Sequence, residues 1–288
     1  MNMKVDLCGV TLNNPVMTAS GTFGSGAEYA EFVDLNKLGA VVTKGVANVP
    51  WPGNPTPRVA EVYGGMLNAV GLQNPGIDLF VERDIPFLKQ FDTKIMVNVC
   101  GHSTEEYIEV VERLSDQPVD LLEINISCPN VKEGGIAFGQ DPKAVEAITK
   151  EMKKHAAQPV IMKLSPNVTD ITEMARAAEA GGADGLSLIN TITGMKIDIN
   201  RQKFVLANKT GGMSGPAIHP VAVRMVYQTA QAVSIPIVGM GGIMNAEDAI
   251  EMILAGATAV SVGTANFTNP HVTEEIVAGI RDYMERYQ

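Results

Sequence analysis

Eight short apolar runs recur along the chain, and the stretches between them carry helix signals. Each run is nearly continuous in Val, Ile, Leu and Met, as expected for parallel strands that are covered on both faces. Eight strand–helix units within 288 residues predict a (β/α)8 TIM barrel that forms a single domain over residues 1–288. The predicted strands are 16–20, 40–44, 95–99, 121–127, 160–164, 185–190, 235–240 and 259–263.

Helix boundaries can be read in the segments that connect these strands. Asp141 followed by Pro142 predicts an N-cap with proline at the first helical position. Ser103 and Glu106 have the spacing of a capping box, and Thr169 is placed to cap the segment that follows it. Further helices are expected at 27–38, 78–91, 219–232 and 271–287.

An open, doubly wound sheet is the alternative architecture for this pattern. It would usually carry a GxGxxG dinucleotide fingerprint after its first strand, and the sequence SGTFGSG found there lacks that spacing. We therefore favour the barrel, with a short N-terminal hairpin before residue 15 closing its floor. Two connections, 45–77 and 191–217, are longer than a barrel needs and rich in Gly. Both follow strand C-terminal ends, where barrel enzymes build their active sites.

The charge and the cysteine content argue against several classes of function. The 32 acidic residues against 22 basic ones give a net charge of -10, whereas nucleic-acid binding needs a basic surface. Three scattered cysteines and four histidines show no disulfide framework, no metal-ligand spacing and too few thiols for an iron–sulfur cluster. The N-terminus lacks a signal-peptide pattern, and no apolar stretch approaches the ~18 residues of a membrane span. A cytoplasmic protein without a metal, nucleic-acid or membrane partner is expected.

Polar residues gather at the C-terminal ends of the predicted strands. Two lysines and three asparagines are among them, and burying such groups without partners costs roughly 2–7 kcal/mol each. Together they predict a ligand site at the barrel mouth, although each one alone is also typical of a hydrogen-bonded strand end. The set is Ser20, Gly21, Thr43, Lys44, Asn98, Asn125, Cys128, Lys163, Asn190, Thr191, Gly241, Gly242, Gly263 and Thr264.

The last two strands are followed by the glycine-rich turns GMGGI and GTA. Their bare backbone N–H groups suit a phosphate, which barrels often hold at this position, and the phosphate could belong to the substrate or to a cofactor such as FMN. Glycine is also common in ordinary βα turns. Lys163 has three open roles, which are stabilising negative charge on a reduced flavin, forming a Schiff base or pairing with a carboxylate.

Cys128 lies just past a strand end, in the sequence INISCPN. A buried cysteine is often only a small apolar residue, which is the interpretation that suits Cys8 and Cys100. Beside Asn125, the Cys128 thiol could instead act as a base. The glycines of the following segment, VKEGGIAFGQDP, suit a mobile lid. No histidine adjoins Cys128 in sequence to support a Cys–His nucleophile.

Several stretches together resemble the dihydroorotate dehydrogenases. They are INISCPNVKEGG, VVTKG, NAVGLQNPG, LINT, GGMSGPAI, GMGGI and SVGTA, and they follow the family's order from about Leu12 to the C-terminus. The strongest similarity is to the catalytic subunits of the NAD-linked class 1B enzymes. The resemblance implies an FMN-dependent oxidoreductase that converts dihydroorotate to orotate in pyrimidine (UMP) biosynthesis, with one FMN per chain.

The resemblance also implies roles for residues at the barrel mouth. Cys128 matches the base that removes a proton from the substrate ring. Lys44 is expected to neutralise charge near the substrate carboxylate and the flavin, and Lys163 to stabilise the reduced flavin. The substrate-binding positions are Lys44, Asn68, Ala69, Val70, Gly71, Leu72, Asn125, Asn190 and Thr191. The FMN-binding positions are Ser20, Lys44, Gly45, Asn98, Asn125, Lys163, Ile189, Gly215, Gly241, Gly242, Gly263 and Thr264.

The electron acceptor distinguishes the classes of this family. The resemblance to class 1B implies a second subunit that carries FAD and a 2Fe–2S cluster and passes electrons to NAD, in a heterotetramer of two catalytic and two electron-transfer chains. Class 1A relatives reduce fumarate and also use cysteine, whereas class 2 relatives use serine and carry a membrane-associating extension. The alternatives are therefore a fumarate-reducing enzyme, then a non-redox barrel lyase or isomerase with a phosphorylated substrate, and a non-catalytic metabolite-binding barrel.

Overall fold

The computed structural model describes residues 2–126, 132–133 and 136–287. Its centre is a closed barrel of parallel strands, in which each strand pairs with the next along the chain and the last pairs with the first. The predicted (β/α)8 barrel is therefore confirmed. The barrel strands are β1 Val16–Thr18, β2 Ala40–Val42, β3 Lys94–Val99, β4 Leu121–Asn125, β5 Val160–Lys163, β6 Gly185–Leu188, β7 Ile237–Met240 and β8 Ala259–Val262.

Helices pack around the outside of the barrel and bury their apolar faces against the strands. Asp141 caps the second of the longer helices as predicted, since its side chain accepts a hydrogen bond from a backbone N–H of the first turn. The longer helices are α1 Thr104–Ser115, α2 Pro142–His155, α3 Ile171–Ala180, α4 His219–Ala230, α5 Ala246–Leu254 and α6 Val272–Arg286. Shorter helical pieces are Tyr29–Glu31, Leu35–Lys37, Gly76–Leu79, Phe80–Asp84, Ile85–Leu88, Phe138–Gln140, Pro216–Ile218 and Ala265–Thr268.

Two helix predictions need correction. The expected helix at 27–38 is replaced by two short 3-10 turns, because Asp34 adopts an extended conformation and its side chain accepts from the N–H of Asn36, which starts the second turn. The predicted cap Thr169 is also wrong. Asp170, the next residue, caps α3 by accepting a backbone N–H bond at 2.8 Å, because a carboxylate is as good a cap as a hydroxyl.

The two long connections build a four-stranded antiparallel sheet beside the barrel mouth. Its strands are Val59–Val62, Gly65–Asn68, Thr210–Ser214 and Ile192–Met195, in that spatial order. The first two come from the connection after β2 and the others from the connection after β6. Segments far apart in sequence therefore meet over the same end of the barrel. Smaller two-stranded pairs are Ile197–Asp198 with Lys203–Phe204 and Lys132–Glu133 with Ile136–Ala137.

The opposite end of the barrel is closed by the predicted N-terminal hairpin, whose strands are Val5–Leu7 and Val10–Leu12. Leu7 and Leu12 are fully buried against inward-facing barrel residues such as Met96. The barrel interior is therefore apolar at its floor. Within the described residues, no helix combines the length and the apolar character that crossing a membrane requires.

Candidate active site

A cavity of about 500 Å³ lies between the barrel mouth and the four-stranded sheet. Among the residues that the structure describes, Lys44 and Lys163 are the charged side chains in its wall, and many of the others are asparagine, serine, threonine or glycine. The wall therefore combines apolar surface with many hydrogen-bonding groups and two cationic side chains. Such a cavity suits an anionic ligand with several hydrogen-bonding groups.

Most of the predicted site residues line this cavity. The predicted substrate positions that do so are Lys44, Asn68, Ala69, Val70, Gly71, Leu72, Asn125, Asn190 and Thr191. The predicted FMN positions that do so are Ser20, Lys44, Asn125, Lys163, Ile189, Gly241, Gly242, Gly263 and Thr264. The predicted positions Gly45, Asn98 and Gly215 are outside the lining. Cys128 lies outside the described residues, as do positions 131, 134 and 135 of the expected lid.

The predicted substrate loop is held in shape by a neighbouring loop. Asn54 binds it twice, since its backbone N–H donates to Val70 O at 2.9 Å and its side-chain amide donates to Ala69 O at 3.0 Å. Gly71 and Leu72 both have positive φ angles, of 75° and 54°. A left-handed leucine is costly and persists where its surroundings fix it. The loop is therefore preorganised, and Asn54, which also lines the cavity, was not selected from the sequence.

Amide side chains converge on the other side of the cavity. Asn190 donates to Asn125 Oδ1 at 3.5 Å, and its own Oδ1 accepts from the N–H of Thr191 at 2.8 Å. Asn125 is fixed from outside the barrel by Tyr107, whose hydroxyl donates to its carbonyl at 2.6 Å. Asn167, which was not predicted as a site residue, donates to Thr191 O at 3.1 Å. These contacts orient the amides toward one shared space.

The glycine-rich turn after β7 packs too tightly for any side chain. Gly241 and Gly242 have φ angles of 129° and 69°. A Cβ on Gly242 would lie 2.7 Å from the carbonyl oxygen of Gly215 and 2.8 Å from the Cβ of His219. The ring of His219 also binds the turn, with Nδ1 2.8 Å from Gly241 O and Nε2 3.1 Å from Glu251 Oε2. The turn thus presents backbone without side chains to the cavity, which suits a phosphate.

Hydroxyl groups complete this side of the wall. The hydroxyl of Thr264 donates to Ser214 Oγ at 2.7 Å, which ties the turn after β8 to the four-stranded sheet. Ser261 lines the cavity, and its buried Oγ has no hydrogen-bond partner among the described residues. A buried hydroxyl without a partner is rare in folded proteins, and a ligand is one of the explanations.

Lys163 forms an ion pair inside the barrel. Its Nζ lies 3.4 Å from Glu123 Oε2, and both side chains are almost fully buried. Pairing with a carboxylate is one of the roles left open for Lys163 from the sequence, and it is observed. Glu123 was not selected as a site residue, although its charge within an apolar run was a signal for it.

Outside the cavity, two further candidates for chemistry are the Cys8 thiol and any group of side chains that could bind a metal. Cys8 is at the barrel floor, where burial and the nearby Asp184 carboxylate raise the pKa of its thiol to about 12. It therefore stays protonated and unreactive at neutral pH. No group of three or more His, Cys, Asp or Glu side chains that could hold a metal occurs among the described residues.

Comparisons with known proteins agree with this architecture. The dihydroorotate dehydrogenase family model matches residues 2–284. The protein named dihydroorotate dehydrogenase B (NAD(+)), catalytic subunit, of Lachnoclostridium phytofermentans is 73% identical over 288 residues, which cover 100% of this chain and 96% of that protein. The protein of the same name from Alkaliphilus metalliredigens is 67% identical over 287 residues, covering 100% and 95%. A crystal structure of DHODH from Eimeria tenella in complex with ferulenol shares the fold, with a TM-score of 0.82 at 22% identity, covering 99% of this chain and 85% of that one.

Proposed function

Because this chain belongs to the dihydroorotate dehydrogenase family, we propose that it oxidises dihydroorotate to orotate in pyrimidine biosynthesis, as the catalytic subunit of an NAD-linked enzyme. The observation that carries the proposal is the meeting of Lys44, Lys163 and the amide cluster in one cavity, in a chain 73% identical along its length to a catalytic subunit of that name.

The residues present fit FMN as the cofactor, one per chain. The tight turn of Gly241 and Gly242, with Gly263 and Thr264 beside it, offers backbone N–H groups for the phosphate. The partnerless Ser261 hydroxyl in the wall is free to bond a ligand. Lys163 would lie against the ring system, where a fixed ammonium stabilises negative charge. When bound, FMN would supply the two-electron acceptor for the hydride that leaves the substrate.

The chain's own residues would bind and orient dihydroorotate. The ammonium of Lys44 would neutralise the substrate carboxylate, while Asn125, Asn190 and the loop from Asn68 to Leu72 would hydrogen-bond the ring amides. We propose Cys128 as the base that removes the ring proton, by its match to the family's base. The preorganised loop supports the proposed substrate-binding role, because groups that are already fixed in place lose little entropy when the substrate binds.

We further propose that the electrons leave through a separate subunit that carries FAD and a 2Fe–2S cluster and reduces NAD. Relatives at 73% and 67% identity are named as catalytic subunits of the NAD(+) type, which favours NAD over fumarate. A cytoplasmic heterotetramer of two catalytic and two electron-transfer chains is the assembly that we propose.

The test is to purify the chain and assay it with and without the electron-transfer subunit. We expect a yellow protein with about one FMN per chain that oxidises dihydroorotate with an artificial acceptor alone and with NAD only when the partner is present. A colourless chain that cannot be reconstituted with FMN would contradict the flavin proposal. Reduction of fumarate by the isolated chain would instead support the class 1A alternative.

A further inference from the structure

Glu123 is a carboxylate buried inside the barrel, behind the cavity wall. It lies in the middle of β4 with its side chain 1% exposed, and strand alternation directs Leu121, Glu123 and Asn125 to the same face. Leu121 packs into the apolar floor, and Asn125 lines the cavity. Glu123 is thus between the floor and the ligand site and is not itself part of the cavity lining.

Both oxygens of the Glu123 carboxylate accept from neighbouring strands. Oε2 accepts from Asn98 Nδ2 at 2.6 Å and from Lys163 Nζ at 3.4 Å, and Oε1 accepts from Ser187 Oγ at 2.7 Å. Branched apolar residues usually fill this part of a TIM barrel. A buried charge is costly unless it is paired and hydrogen-bonded, and an apolar residue of similar volume would often serve stability as well. The carboxylate therefore calls for a reason beyond packing.

Lys163 supplies that reason, since it is the cation of this network and also lines the cavity. A deeply buried amine favours its neutral form unless an opposite charge lies close to it. Among the described residues, the other titratable groups close to this end of the barrel include Lys44 after β2, which is also a cation, and Cys100 after β3; Cys128, which follows β4 in sequence, lies outside them. Glu123 is the acid that the structure pairs with Lys163.

We propose that Glu123 is a positioning residue that keeps the ammonium of Lys163 charged and fixed at the base of the cavity. The proposal rests on the proposed function in one respect, because it assigns Lys163 to the side of the flavin. Without the carboxylate, Lys163 becomes neutral and takes up a proton only when negative charge arrives in the cavity. Glu123 thereby sets how many protons the site binds when two electrons arrive.

The test is the pH dependence of the midpoint potential of the bound flavin in the holoenzyme. One extra proton bound with two electrons adds about 30 mV per pH unit to the slope, since a tenfold change in a two-electron equilibrium is about 30 mV. We expect this steeper slope in Glu123→Gln, which keeps the shape and removes the charge. Ser187→Ala is the matched control, because it removes one donor to the same carboxylate and leaves the ion pair, so its slope should equal that of the parent chain.

An unchanged slope in Glu123→Gln, whatever its absolute potential, overturns the proposal, because Lys163 would then stay charged without Glu123. If Glu123→Gln does not fold, Glu123→Asp carries the test. Its shorter side chain places the carboxylate farther from Lys163, so we expect a slope between that of the parent chain and that of a chain without the charge. A slope equal to that of the parent chain in that variant also overturns the proposal.

A second measurement separates this proposal from the proposed function. In the FMN-free chain, the side-chain NMR signal of Lys163 can be identified by its absence in Lys163→Met. We expect Lys163 to lose its proton at a lower pH in Glu123→Gln than in the parent chain, at a proton concentration at least about tenfold higher. Release at the same proton concentration in both chains overturns the proposal even if the protein binds no flavin.

Discussion

The ring of His219 at the start of α4 is bonded to the turn that follows β7, with Nδ1 2.8 Å from the carbonyl oxygen of Gly241. The side chain is 9% exposed and lies behind the cavity wall, where Glu251 holds its other nitrogen at 3.1 Å. A helix outside the barrel therefore fixes the turn that we assign to the phosphate. This links the packing of α4 to cofactor affinity.

Replacing His219 should weaken FMN binding indirectly, because its side chain contacts the turn and is not part of the cavity wall. We expect His219→Ala to raise the FMN dissociation constant about two- to tenfold, because a hydrogen bond contributes about 0.5–1.5 kcal/mol. Titration of FMN into the apoprotein, followed by flavin fluorescence, measures this. His271→Ala, at an exposed histidine before α6, is the control and should keep the parent affinity. Equal affinities in all three chains would contradict the role given to His219.

Gly242→Ala tests whether the turn must be free of side chains. The new Cβ would lie 2.7 Å from Gly215 O at a φ of 69°, so we expect FMN binding to be lost and the free energy of unfolding to fall by more than the ~1–2 kcal/mol of a left-handed alanine. Gly182→Ala is a matched control, with a φ of 92° and a new Cβ whose nearest neighbour, Lys153 Cγ, would be 3.8 Å away. It should show only the backbone cost, measured by urea unfolding, and keep its FMN affinity. Retained FMN binding in Gly242→Ala would count against the assignment of the phosphate to this turn.

The barrel was predictable because its signals are local. Each strand is a short run of apolar residues that can be recognised without knowing which strands it pairs with. Asp141 is likewise a local signal, because it is the N-cap residue directly before its helix begins. The four-stranded sheet was not predicted. Gly65–Asn68 pairs with Thr210–Ser214 from a distant part of the chain, and Gly-rich strands have little intrinsic propensity. Such strands form because a non-local partner is present.

The candidate site was predictable to the extent that it lies at strand ends. Lys44, Lys163 and the amides follow apolar runs directly, so the barrel topology brings them together. Glu123 was visible as a charge two residues before Asn125 on the same face of a strand. His219 gave no such signal, because its contact with Gly241 depends on how α4 packs against β7.

The stability of the chain at high pH should depend on Cys8. Burial raises the pKa of its thiol from 9.0 to about 12, so the folded chain holds this proton more tightly than the unfolded chain does. Stability that is complete below about pH 9 is therefore lost progressively as the pH rises towards about 12. We expect the free energy of unfolding of the parent chain to fall relative to that of Cys8→Ala over this interval, measured by urea unfolding at stepped pH. A constant difference between the two chains would show that the thiol ionises equally in both states.

Cys128→Ala tests the proposed base, whose role rests on the match of INISCPN to the family. The variant should retain FMN, because Cys128 is not among the predicted cofactor positions, and should oxidise dihydroorotate roughly 10²-fold or more slowly, as is typical when a general base is removed. Stopped-flow measurement of flavin bleaching by dihydroorotate across the pH range isolates this step. Cys8→Ala, which removes a thiol at the barrel floor, should keep the parent rate at neutral pH. If Cys128→Ala kept both the rate and its pH profile, the proton would have to leave to another group, and Cys128 would not be the base.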